Sequence, residues 1–151
     1  MVNLAVLETL AEGCRRGLEM LSNQTDSMFV DFPNGACGPA AEIVGRIVKE
    51  KAGYDGRYVC GRQHRGMKQG QSHAWYEVGD YVIDITYDQF NGTGLTGWVF
   101  LQGEGWHAQF ADLDRRDGFC MPMDWPCYPH DGYQAAKQEI LRSNEIIKES
   151  E

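Results

Sequence analysis

Two strand-patterned runs, Ser72-His73-Ala74-Trp75-Tyr76-Glu77-Val78 and Tyr81-Val82-Ile83-Asp84-Ile85-Thr86, are separated by only Gly79-Asp80. A two-residue connection of this kind closes an antiparallel hairpin and fixes the register of the strands it joins. With Gly79 and Asp80 as the loop, Val78 faces Tyr81, Tyr76 faces Ile83, and Trp75 faces Asp84. Side chains alternate along a strand, so His73, Trp75 and Glu77 share a face with Val82, Asp84 and Thr86. Asp84 is then the diagonal neighbour of His73, about 7–8 Å away at the backbone, which an imidazole and a carboxylate can span. A carboxylate set between Ile83 and Ile85 is costly to bury alone. The Nδ1–H of His73 is its expected partner. Asp80 in the turn and Asp88 beyond the strand are the rival acids.

A helix is expected on either side of a long loop ahead of this hairpin. Leu4, Leu7, Ala11, Cys14, Leu18 and Leu21 recur in steps of three and four over residues 3–21, with Glu8, Glu12, Arg15 and Glu19 turned to water. Cys14 lies on the apolar stripe and reads as a small core residue. Residues 22–36 form a loop rich in Asn, Asp, Pro and Gly. Ala40, Ile43, Val44, Ile47 and Val48 then mark a second helix over about 38–52, with Gly53 as its stop. Cys37 stands at the front of it. A thiol there meets the positive end of the helix dipole and unpaired N–H groups, both of which favour thiolate.

The remaining segments are read more coarsely. Arg57–Cys60 is a short strand, and 61–71 is an exposed, mobile loop that concentrates positive charge in Arg62, Arg65 and Lys68. Residues 91–97 are glycine-rich, Trp98–Leu101 is another strand, and 102–131 is irregular. Asp131 caps a last helix whose inner face carries Tyr133, Ala136, Ile140 and Ile147. His107, in Gly105-Trp106-His107, reads as an ordinary loop histidine. Cys60, His64, Cys120, Cys127 and His130 could in combination provide the four ligands of a zinc site, but their spacing is not that of a compact zinc site. No metal and no cofactor is expected.

With 151 residues, the chain suits a single domain, 1–151. Its 14 basic and 22 acidic side chains leave a charge of −8, which argues against nucleic acid or an anionic membrane as partner. The N-terminus has no basic stretch followed by an apolar block, and the five cysteines are scattered. Both features favour a reduced, cytoplasmic setting, and delivery by a specialised secretion machine would leave the same pattern. Oligomeric state is not legible.

Cysteine, histidine and aspartate in this order can perform acyl transfer. A thiolate attacks an acyl carbon, the imidazolium protonates the leaving amine, and the carboxylate orients the ring. The Cys37 N–H would be one oxyanion donor, with Asn34, Asn23 or Gln24 open as the second. Trp75 would wall the site or touch the substrate.

A helix-leading Cys, a strand with His-Ala-Trp-Tyr-Glu-Val and a strand with Val-Ile-Asp-Ile-Thr resemble the transglutaminase-like branch of the papain-like cysteine protease superfamily, over roughly residues 32–90. The resemblance implies an α+β fold with a papain-like or transglutaminase-like core, its nucleophile helix packed on a small antiparallel sheet. It also implies Cys37 as nucleophile, His73 as base and Asp84 as orienting acid, acting on a peptide or protein amide substrate. Family members are peptidases, amidases, deamidases and acyltransferases. Cross-linking members usually carry Trp after the nucleophile, where this chain has Gly38-Pro39, so hydrolysis or deamidation is expected. Gly38 is shared with the bacteriocin-processing peptidases. The alternative is a catalytically silent binding or adaptor module on the same fold.

Overall fold

Asn3 opens the first helix by accepting a hydrogen bond from the Val6 N–H at 3.2 Å through its side-chain oxygen. The computed structural model describes the backbone of residues 1–150 and the side chains of 1–144. It contains helix α1 (Leu4–Glu19), α2 (Cys37–Ala52), strands β1 (Arg57–Arg62), β2 (Ser72–Val78), β3 (Tyr81–Ile83), β4 (Val99–Leu101) and β5 (Asp112–Asp117), and helix α3 (His130–Ser150). Short 3₁₀ turns lie at Tyr87–Gln89, His107–Gln109 and Pro122–Asp124. The five strands form one antiparallel sheet in the order β4-β3-β2-β1-β5, so the class is α+β.

The hairpin has the register its turn dictates: Val78 pairs with Tyr81, Glu77 with Val82, and Tyr76 with Ile83. Gly79 has φ 58°, a conformation that costs glycine little and other residues more. Strand β3 is shorter than expected, ending at Ile83, where the Asp84 N–H turns to the Trp98 carbonyl at 2.9 Å.

The sheet has two buried faces. On the inner face Tyr76, Val78, Ile83 and Ile85 pack with Leu7, Leu18, Ile43, Ile47, Tyr133 and Ile140 of the helices. Ile147, expected on the same stripe, lies outside the described side chains. On the outer face Val59, Trp75 and Val82 pack with Trp106 and Phe110 from the connection before β5. Gly61 belongs here because a Cβ on it would come within 2.8 Å of the Phe110 ring and 3.0 Å of the Trp75 ring.

Several expectations need correction. The segment 102–131 is not wholly irregular, since Asp112–Asp117 pairs with β1 as an edge strand. β1 continues through Arg62, and His64 in the following loop is buried, facing the Trp106 carbonyl at 2.8 Å. Arg15 is not turned to water: it pairs with both Asp88 oxygens at 2.7 and 2.8 Å and donates to the Ile85 carbonyl at 2.8 Å. With a further bond from its Nε to Glu19 at 2.7 Å, four hydrogen bonds offset its desolvation. Leu4, by contrast, is exposed. Among the described residues no helix is long and apolar enough to cross a membrane.

Candidate active site

Helix α2 begins at Cys37, and the residue before it, Ala36, has no side chain able to cap. Its third residue is Pro39, which has no N–H, and the Ala40 N–H is taken by the Ala36 carbonyl at 2.9 Å. Two first-turn N–H groups, those of Cys37 and Gly38, are therefore left beside the Cys37 thiol with no helical partner. β3 pairs with β2 only at Tyr76–Val78, so the stretch of β2 around His73 and Ala74 stays open to the start of α2. There Ala74 and Cys37 line the same narrow cleft.

His73 is 0% exposed and Asp84 1%. The His73 Nε2 lies 2.7 Å from Asp84 Oδ2. The bonded nitrogen is thus Nε2, where Nδ1 was expected. The other nitrogen, Nδ1, is buried with no hydrogen bond, and the Cys37 thiol is close enough to the His73 ring for each to shift the other's pKa. The Asp84 Oδ1 accepts from the Thr86 N–H at 3.0 Å and from its hydroxyl at 3.4 Å. The rival acids are elsewhere: Asp88 is bound to Arg15, and Asp80 is exposed in the turn.

The electrostatics follow from this contact order. Burial raises the Cys37 pKa, but its interaction with the neighbouring His73 imidazolium, and then the Ala74 N–H, outweigh it, leaving the thiol below its ordinary value. Burial lowers the His73 pKa, and the Asp84 charge, its hydrogen bond and then Cys37 overturn that, raising it to about 9. Burial opposes ionisation of Asp84 too, yet His73 and His107 hold it well below the usual carboxylate range. Cys14, inside α1, shows burial acting alone: its thiol is pushed up to about 12.

His107 was missed as a site residue. Its Nε2 lies 2.6 Å from the same Asp84 Oδ2, and the ring is 4% exposed. Two nitrogens 2.6 and 2.7 Å from one oxygen have hydrogen-bond spacing, whereas ligands around a tetrahedral zinc ion lie about 3.3 Å apart. Rings of Phe90, Trp106 and Trp75 surround His73 at centroid distances of 5.0, 5.7 and 5.9 Å.

Trp75 walls the dyad, but its indole N–H donates to Glu77 Oε2 at 3.2 Å and is not free for substrate. Asn34 is exposed in the loop before α2, and its side chain makes no hydrogen bond among the described residues. Among those residues, no three of Cys60, His64, Cys120, Cys127 and His130 gather as a metal site, and the five cysteines are free. Beside Cys37, a groove of about 330 Å³ runs between Gly38, Pro39, Tyr58, Arg116 and Trp125. The Tyr58 hydroxyl is 3.4 Å from where a Cβ on Gly38 would stand. Burial, and then the charges of Cys37, Cys60 and Glu42, push its pKa up to about 12, so it remains a donor. No family model, curated protein or solved structure matches the chain.

Proposed function

We propose that this protein is a cysteine-dependent hydrolase or acyltransferase, a peptidase, amidase or glutamine deamidase working through a thioester, similar in arrangement to the transglutaminase-like branch of the papain-like superfamily. One observation carries the reading: the Cys37 thiol, at an uncapped helix start, is coupled to a buried His73 whose Nε2 is bound to Asp84 and whose Nδ1 has no partner. The Cys37 thiolate adds to the amide carbonyl. The developing oxyanion takes the Cys37 N–H and a second donor, for which the Tyr58 hydroxyl is better directed than the exposed Asn34. As the C–N bond breaks, the His73 Nδ1–H passes to the leaving amine. With Nδ1 bare again, His73 takes a proton from the water or amine that attacks the thioester, and Cys37 leaves as thiolate. Gly38-Pro39 after the nucleophile favours water, and so hydrolysis or deamidation.

The test is intact-mass analysis after incubation with a panel of peptide and glutamine amides, read alongside ammonia release. An acyl adduct that maps to Cys37 and vanishes in Cys37→Ala supports the reading. Full turnover in Cys37→Ala, with the fold retained, refutes it. If neither adduct nor turnover appears across the panel and Cys37 reacts no faster than the other thiols, the silent binding module is the better account.

A further inference from the structure

A Cys-His-Asp site needs one imidazole on its carboxylate, and Asp84 carries two. His73 and His107 stand 2.7 and 2.6 Å from a single oxygen, Oδ2, while Oδ1 is occupied by Thr86. An ionised carboxylate only accepts, so both facing nitrogens must bear hydrogen. His107 enters from the 3₁₀ turn His107–Gln109, well away from the hairpin in sequence. Its ring is held by Trp75, Trp106 and Phe100 at 4.9, 5.1 and 5.5 Å, and Asp84 is its hydrogen-bond partner among the described residues. Packing alone would not require a histidine in that aromatic setting.

We propose that His107 is a positioning residue of the Cys37 site, donating its Nε2–H to Asp84 Oδ2 and thereby limiting how tightly the carboxylate holds the proton of His73. This role rests on the reading of Cys37 as nucleophile. In a dry aromatic pocket, a carboxylate bound to a single imidazole holds the imidazolium strongly. Such an imidazolium is a poor proton donor to a leaving amine. A second charge-assisted bond on the same oxygen takes part of its acceptor strength and also fixes the carboxylate plane. A purely space-filling His107 makes the opposite forecast, because its loss would loosen Asp84 and lower the His73 pKa.

The sign of that shift is measurable without a substrate. Alkylation of Cys37 by iodoacetamide rises with pH once as the thiol ionises, and again as His73 loses its proton and frees the thiolate from its partner. In His107→Leu the second rise should move up by about one pH unit. In His107→Gln, which keeps an N–H donor, it should stay near the wild-type position. A downward shift in His107→Leu, or no shift in a folded variant, overturns the proposal. Should His107→Leu fail to fold, ring ¹⁵N shifts of the wild-type protein decide: an Nε2–H tautomer at His107 is expected, and an Nδ1–H tautomer refutes the bond. A wild-type profile with a single rise near ~8.5 instead overturns the nucleophile reading, and the role of His107 with it. The ¹⁵N result would still report whether the His107–Asp84 bond exists.

Discussion

On its inner face the sheet meets the helices through Tyr76, Val78, Ile83 and Ile85, and the buried core there is aliphatic and aromatic side chains, Ala and the thiol of Cys14. On its outer face it presents His73, Trp75 and Glu77, with Asp84 just beyond β3, to loops carrying Phe90, Trp106, His107 and Phe110. Both faces exclude water. The inner face needs volume and patterning, which many sequences can supply. The outer face needs each buried polar atom to find a partner, and the bonds among His73, Asp84, His107, Thr86, Trp75 and Glu77 meet that need. The one exception among them is the His73 Nδ1, on a ring whose pKa is coupled to the Cys37 thiol. The two helix cysteines repeat the contrast: Cys14 in the inner core has its thiol pushed up to about 12, while that of Cys37 is held down by a buried histidine.

If the faces divide stability from chemistry in this way, substitutions should separate along the same line. Cys37→Ala should remove thiol chemistry at the site entirely while leaving the urea midpoint within ~0.5 kcal/mol of wild type. Asp84→Asn should cost both, because it disturbs the tautomer of His73 and unpairs two buried rings. Turnover should fall by roughly 10⁴, and stability by roughly 3 kcal/mol.

That stability gap has a defined pH window. Asp84 has its folded pKa below the ordinary 3.8, so its contribution is present above that value and is lost as pH falls toward the folded one. His73 has its folded pKa raised from 6.5 to about 9, so its contribution is full below 6.5 and is lost as pH rises through about 9. Urea midpoints of wild type and Asp84→Asn should therefore differ most between about pH 4 and 6.5. A gap that does not change with pH would show that the pair does not carry it.

Tyr58→Phe should lower turnover by roughly 10² through loss of an oxyanion donor, with Cys37 alkylation unchanged. If Asn34→Ala has that effect and Tyr58→Phe does not, the second donor lies in the loop before α2. Ile43→Ala completes the series. It should leave Cys37 alkylation as in wild type, yet cost roughly 3 kcal/mol by opening a cavity in the inner core. A large change in Cys37 reactivity there would break the division between the faces.

Legibility followed the range of each signal. The Gly79-Asp80 spacing fixes the hairpin register locally, so the pairing of His73 with Asp84 could be read from two adjacent runs. The start of α2 was readable because the helical spacing of Ala40, Ile43, Val44, Ile47 and Val48 begins directly behind Cys37. Which imidazole nitrogen meets Asp84 was not readable, because both rotamers reach the same carboxylate from a diagonal position. β5 escaped because Asp112-Leu113-Asp114-Arg115-Arg116-Asp117 has no apolar alternation, and charge of this kind is how an edge strand is protected from further pairing. The burial of Arg15 depends on Asp88, 73 positions away. His107 depends on a loop that folds back over Trp75, and no local pattern around Gly105-Trp106-His107 marks it.

The central claim is that Cys37 is ionised by His73, and the most direct measurement is the pH dependence of iodoacetamide alkylation in wild type and His73→Ala, with the modified cysteine located by mass spectrometry. The account predicts that Cys37 labels ahead of the other four cysteines. It also predicts an apparent pKa well below the ~8.5 of a free thiol, returning upward in His73→Ala. Slow labelling of Cys37 at an ordinary thiol pKa, unchanged by His73→Ala, would contradict it.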